Sequence, residues 1–174
     1  MEELNFKPYK SKEKFRSNYK LHDLAEAVGK NLLVQWGIDF KPFGEDNRFT
    51  RVWEKGTDKP DVIISYQGKE AFLDWKGKHS EKWLMNKRAA VSYQNWAKKF
   101  SIPIFICYVI FNNEKEMQEV RFVNLAFHKY KDSKEKAWDK NEVVVLIEEP
   151  PMFTKATLLK YWKWNSKRQK TNSK

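Results

Sequence analysis

Residues 61–76 read DVIISYQGKEAFLDWK. Two short runs suited to strands, 61–66 and 69–76, flank Gln67-Gly68. A two-residue link ending in glycine between such runs signals a β-hairpin. With Gln67 and Gly68 as the loop, Tyr66 faces Lys69, Ser65 faces Glu70, Ile64 faces Ala71, Ile63 faces Phe72 and Val62 faces Leu73. Asp61 then faces Asp74. Directly opposed residues hold their Cβ atoms ~4.5–5.5 Å apart on one face, and two carboxylates there repel unless a cation lies between them. A divalent metal meets that need. Mg²⁺ takes oxygen ligands, commonly one or two carboxylates with water and substrate phosphate. Alternation along the strand brings Lys76 to the face of Asp74, with Phe72 and Ile63 sharing that face further along. An ammonium so placed can orient or help deprotonate a water, and can stabilise charge developing on a phosphate. Singly, these residues have plainer readings: strand entry after Pro60 for Asp61, a surface ion pair for Asp74 and Lys76. The three together at one register favour chemistry.

Outward from the hairpin, residues 20–36 predict a helix. Leu21, Leu24, Ala25, Val28, Leu32 and Trp36 recur at helical spacing, and Gly37 ends it. Residues 48–54 alternate as a strand, and 55–59 (KGTDK) read as a turn. Ser80 reads as the N-cap of a helix running to about Phe100, broken by Ser101-Ile102-Pro103. Residues 104–111 form a near-continuous apolar run, typical of a strand buried on both faces. Residues 120–127 and 142–147 read as strands, Pro150-Pro151 as a stop, and 154–164 as a last helix. The order α-β-β-β-α-β-β-β-α predicts an α/β fold, a mixed central sheet flanked by helices.

Pro60-Asp61, twelve intervening residues and Asp74-Trp75-Lys76 resemble the motif of the PD-(D/E)XK nuclease superfamily. The preceding helix and the helix-strand unit after the hairpin extend the resemblance over roughly residues 21–111. It implies a restriction-endonuclease-like core and a phosphodiesterase using Mg²⁺ or Mn²⁺. Asp61, Asp74 and the Trp75 carbonyl would be metal ligands, and Lys76 the catalytic lysine. The family often adds a carboxylate from the first helix. On a helical wheel Asp23 falls nearly opposite the apolar face, whereas Glu26 borders it beside Leu33, which favours Glu26; its plainer reading is a solvated residue paired with Lys30. In the helix after the motif, Trp83, Leu84, Ala90, Val91 and Ala97 define an inward face that also takes in Lys87 and Gln94. Branches of the superfamily place a lysine or glutamine here near the metal; the plainer readings are a snorkelling Lys87 and a Gln94 bonded to backbone.

The bulk numbers bound the rest. A chain of 174 residues suits one domain. We read 1–19 as a basic arm, 20–164 as a single nuclease domain and 165–174 as a basic tail. Lys+Arg is 34 against 23 Asp+Glu, a net +11, which attracts polyanions, nucleic acid foremost. In the segment after Pro150-Pro151, Lys163, Lys167, Arg168 and Lys170 are candidate phosphate contacts, with Tyr161, Trp162 and Trp164 interleaved; a docked amphipathic helix with a solvated tail is the plainer reading. No apolar run approaches the ~18–20 residues that span a bilayer, and no basic amphipathic helix suggests a membrane partner. The N-terminus has no apolar core of a signal peptide. Cys107 is the sole cysteine, so no disulfide framework is expected, and a reducing, cytoplasmic setting is. His22, His79 and His128 form no H-x-x-x-H pair, which argues against zinc. No phosphate-binding or dinucleotide-binding glycine loop and no nucleophile elbow occurs.

These readings converge on a metal-dependent DNA endonuclease. Small members of the superfamily are often homodimers, so a homodimer is expected, and the lean is toward a structure-selective enzyme such as a Holliday junction resolvase. A site-specific restriction or homing enzyme, a ribonuclease and a non-catalytic nucleic-acid-binding module are the alternatives.

Overall fold

The computed structural model describes residues 12–43, 58–136 and 142–171, with side chains over 20–43, 58–133 and 142–163. Among these residues, α1 (Lys12–Gln35) is followed by β1 (Asp39–Pro42), β2 (Val62–Tyr66), β3 (Lys69–Lys78) and β4 (Leu84–Asn86). Then come α2 (Lys87–Phe100), β5 (Ile104–Phe111), β6 (Met117–Asn124), β7 (Tyr130–Lys136), β8 (Glu142–Leu146) and α3 (Lys155–Thr171). Five strands form a mixed sheet in the order β1-β2-β3-β5-β6, and three form a second sheet, β4-β8-β7. Only β3 and β5 run parallel; every other pairing is antiparallel.

The hairpin has the register its sequence dictates, from Tyr66↔Lys69 to Val62↔Leu73. Gln67 (φ 49°) and Gly68 (φ 74°) both lie in the left-handed region, as a two-residue turn matched to strand twist requires. Alternation along β2 and β3 then divides the core in two. Val62, Ile64, Ala71, Leu73 and Trp75 face α1 and α3, meeting Leu21, Ala25, Leu33, Leu158 and Trp162. Ile63 and Phe72 face the opposite way, toward α2 and the second sheet, meeting Ala89, Tyr93, Val144 and Leu146. The apolar run of β5 is buried along its whole length and feeds both sides.

Several boundaries differ from the sequence reading. Helix α1 starts at Lys12, so residues 12–19 of the expected arm are helical. It ends as expected, with Gly37 (φ 67°) behind bonds from the Gly37 and Ile38 N–H groups to the Val34 and Leu33 carbonyls. The strand expected over 48–54 lies outside the described residues, as does most of the 55–59 turn. Ser80 caps no helix: a bend and β4 intervene, and α2 starts at Lys87 after Asn86. Trp83 and Leu84 therefore lie outside the helix, and including them rotated the inferred inward face. The buried positions of α2 are Ala89, Ala90, Ser92 and Tyr93, while Val91 is 51% exposed. β6 ends at Asn124, whose side-chain oxygen accepts the Ala126 N–H and turns the chain. Helix α3 continues to Thr171, through most of the expected tail.

Candidate active site

β3 positions two of the three motif side chains by alternation. Asp74 is 1% exposed, on the α2 side of the sheet two residues beyond Phe72. The Tyr93 hydroxyl, from α2, donates to Asp74 Oδ1 at 2.9 Å. Lys76 Nζ lies 2.6 Å from Asp74 Oδ2 and over the Tyr93 ring, 5.5 Å from its centroid. That is ion-pair distance, yet Oδ2 accepts no well-directed hydrogen bond and is buried. Burial pulls the Lys76 ammonium down, but Asp74 and Asp61 outweigh it and hold the pKa above the ordinary value. Burial holds the Tyr93 hydroxyl well up, reinforced by the Asp74 charge, so it remains a donor.

Asp61 reaches the same place by another route. Strand pairing ends one step before it, at Val62↔Leu73. Instead of continuing the ladder, Asp61 Oδ2 accepts the Trp75 N–H at 2.9 Å, and its main-chain carbonyl accepts the Phe43 N–H at 2.9 Å. Burial, then the Asp74 charge, raises its carboxyl well above the ordinary range, against the opposing pull of Lys76 and the Trp75 N–H. The site thus holds two mutually repelling carboxylates and one ammonium.

Helix α1 adds a residue that sequence reasoning dismissed. A β-carbon at Gly77 would stand 2.3 Å from the Leu21 carbonyl oxygen, so glycine lets α1 lie directly on β3. The next residue, His22, puts Nδ1 3.2 Å from the Trp75 carbonyl. A carbonyl only accepts, so Nδ1 carries the proton in this contact. Nε2 lies 3.9 Å from Asp61 Oδ1. The spacing of the three histidines carries no sign of this role; the place of His22 one helical turn before Glu26 is the signal in the sequence.

Glu26 is in ion contact with Lys30 at 2.6 Å, the plainer of its two readings. It is also near enough to raise Asp61, as the last of five causes. Asp23 is exposed. Lys87 points away from this cluster, pairing with Asp132 (3.1 Å) and Glu142 (3.3 Å) of the second sheet, and Gln94 is exposed. Lys163 is exposed on α3; the side chains of Lys167, Arg168 and Lys170 lie outside the described residues. Trp162 is core, with Nε1 donating to the Glu70 carbonyl at 3.2 Å, and Tyr161 packs on Phe122, Phe127 and His128.

No family model matches the chain, and no curated protein does. Among solved structures, a Holliday junction resolvase of the archaeon Archaeoglobus fulgidus aligns with TM-score 0.48 and 12% identity. The alignment covers 77% of this chain and 93% of that one. A likeness of that size decides nothing about chemistry, which rests on this chain's own residues.

Those residues fit a hard divalent cation. The buried Asp74 carboxylate, the destabilised Asp61 carboxylate and the Trp75 carbonyl are all oxygen donors, the set that Mg²⁺ and Mn²⁺ accept. Among the described residues no three His, Cys, Asp or Glu side chains converge on one point.

Proposed function

We propose that this chain is a metal-dependent endonuclease that hydrolyses DNA phosphodiester bonds, with branched DNA such as a four-way junction as its preferred substrate. One observation carries the reading: the buried carboxylate of Asp74 shares the site with a second carboxylate that its charge destabilises, with a protonated lysine alongside. A binding module for phosphates gains nothing from buried carboxylates that repel each other and the ligand. When bound, the metal supplies Lewis acidity toward a phosphoryl oxygen and activates a water. Asp61, Asp74 and the Trp75 carbonyl would hold it. Tyr93 fixes Asp74 at Oδ1, and Lys76 pairs with Oδ2, the oxygen that a bound cation would share with the ammonium. Lys76, held as ammonium by its carboxylate neighbours, contributes positive charge and hydrogen bonds to the phosphate or to the attacking water rather than acting as a base. His22, proton on Nδ1, orients the Trp75 carbonyl from the α1 side.

Symmetric resolution of a junction needs two cuts, and a chain with one such site makes one. We therefore assign the active form as a homodimer. The test is incubation with a four-way junction, linear duplex, supercoiled plasmid, single strands and RNA, each with Mg²⁺, Mn²⁺ or EDTA. Metal-dependent cleavage of the junction first, by a species of dimeric mass, is expected. Preferred cutting of one plasmid sequence would favour a site-specific enzyme, RNA cleavage a ribonuclease, and binding without cleavage of any substrate a non-catalytic module.

A further inference from the structure

The hairpin alone does not fix Asp61. It lies past the last ladder pair, Pro60 before it has no N–H to donate, and Asp74 repels it. Beyond the bonds it accepts from the Trp75 and Phe43 N–H groups, its support comes from Asp58, in the segment read as a turn. Asp58 is 7% exposed. Arg88 holds its carboxylate with both arms of the guanidinium, Nε to Oδ2 at 2.8 Å and Nη2 to Oδ1 at 3.2 Å. The Asp58 main-chain carbonyl accepts Ser92 Oγ at 2.7 Å and Trp96 Nε1 at 3.1 Å. Arg88, Ser92 and Trp96 are spaced i, i+4, i+8, so one face of α2 grips Asp58. The residue after Ser92 is Tyr93, which holds Asp74. Adjacent residues of one rigid helix thus hold the lead-in to one carboxylate and the side chain of the other. Only Lys59 and Pro60 separate Asp58 from Asp61, and the proline ring fixes its own φ, so the link has little slack.

We infer that α2 sets the spacing between Asp61 and Asp74, with Asp58 and Arg88 as positioning residues for a divalent cation they do not touch. The inference rests on the metal-dependent reading above. Groups that orient metal ligands from behind are worth 10–100-fold in affinity in typical sites, and small displacements of a ligand are enough to weaken a site.

The experiment measures Mn²⁺ affinity of the full chain without DNA, from the paramagnetic resonance of the unbound ion, together with melting temperature in EDTA and junction affinity in EDTA. Asp58→Asn keeps both bonds to the carbonyl but loses the charge pair; Arg88→Met loses it from the other side; Arg88→Lys keeps a charge. Asp58→Asn and Arg88→Met should each weaken Mn²⁺ binding by about 10-fold or more. Arg88→Lys should regain part of that loss, and junction affinity in EDTA should stay within about twofold. A staple that serves stability alone would lower the melting temperature and leave Mn²⁺ affinity of the folded variants at the wild-type value, which overturns the inference. Should Asp58→Asn fail to fold, Ser92→Ala removes one bond to the same carbonyl, and an unchanged Mn²⁺ affinity there has the same force. Wild type and Asp74→Asn separate the two levels. If wild type binds Mn²⁺ no better than Asp74→Asn, the metal-dependent reading falls and the inference with it. If wild type binds and Asp58→Asn binds equally, the inference alone falls.

Discussion

Lys76 and Asp61 both have raised pKa values, which favours opposite charge states for an ammonium and a carboxyl, and each makes a measurable claim. Lys76 keeps its proton because two carboxylates outweigh burial. Its contribution to stability is fully present below its unfolded pKa and is lost only as pH rises through the raised folded value, so it does not titrate near neutrality. Lys76→Ala should slow single-turnover cleavage by about 10²–10³-fold, with calcium-supported DNA affinity within a few-fold of wild type, because charge on the phosphate develops in the transition state. Near-normal cleavage by this variant would remove Lys76 from the chemistry. Asp61 is the reverse case. Its folded pKa is raised by burial and by Asp74, so its neutral form is the stable one: stability is fully present below the unfolded value and is lost as pH rises through the raised value. Asp61→Asn keeps an acceptor for the Trp75 N–H and removes the repulsion. In EDTA at neutral pH its melting temperature should exceed wild type, by roughly 2–4 °C for each ~1 kcal/mol relieved in a chain of this size. The gap should close toward pH 4, and Mg²⁺ should stabilise only wild type. Equal melting curves from pH 4 to 8 would mean that the carboxylates do not oppose each other.

At the scale of elements, the contact between α1 and β3 is the most constrained in the site. A β-carbon at Gly77 meets main-chain atoms of Leu21, which cannot swing aside. Gly77→Ala should cost roughly 1–3 kcal/mol, the usual range for overpacking, and, by lifting α1, should withdraw His22 from the Trp75 carbonyl. Paired unfolding curves and cleavage rates check both; a variant as stable as wild type would show that α1 does not bear on the strand. This contact was not legible in the sequence, since a glycine within a strand pattern marks close approach without naming the partner. The hairpin was legible because period-2 alternation and turn chemistry point to one register, and β5 because a strand buried on both faces is apolar throughout. β1 (DFKP) and β7 (YKDSKEK) carry no alternating apolar face. Among the described residues both are edge strands, where proline and charge are tolerated and protective. β4 hid inside an apolar stretch that continued as helix. At the site, Asp74 and Lys76 could be placed from strand alternation alone; Asp61 lies one step past the ladder and is held by the Trp75 N–H instead of a pairing with Asp74, and Asp58 and His22 make contacts 30 or more residues away in sequence.

Across the whole molecule, a net +11 coexists with two carboxylates at the candidate site, so under the proposed function DNA binding and metal binding place opposite demands on charge. Cations away from the carboxylates must attract the phosphate backbone for the site to approach it. Each lysine or arginine that neutralises a phosphate releases counterions and adds about 0.9 to the salt slope of duplex binding. Affinity for DNA in Ca²⁺ should therefore fall steeply between roughly 50 and 200 mM salt. Removing residues 165–174 deletes Lys167, Arg168, Lys170 and Lys174. Helix α3 is seated in the core by Leu158 and Trp162, ahead of the cut, so the truncated chain should fold and bind Mn²⁺ as wild type does. Its salt slope should decrease by at most about 0.9 for each of the four deleted cations, and its affinity modestly. An unchanged slope would place the end of α3 off the DNA and shift the binding surface to the lysines around β3. A wild-type affinity that hardly responds to salt would deny the phosphate backbone any role, and with it a nucleic-acid substrate.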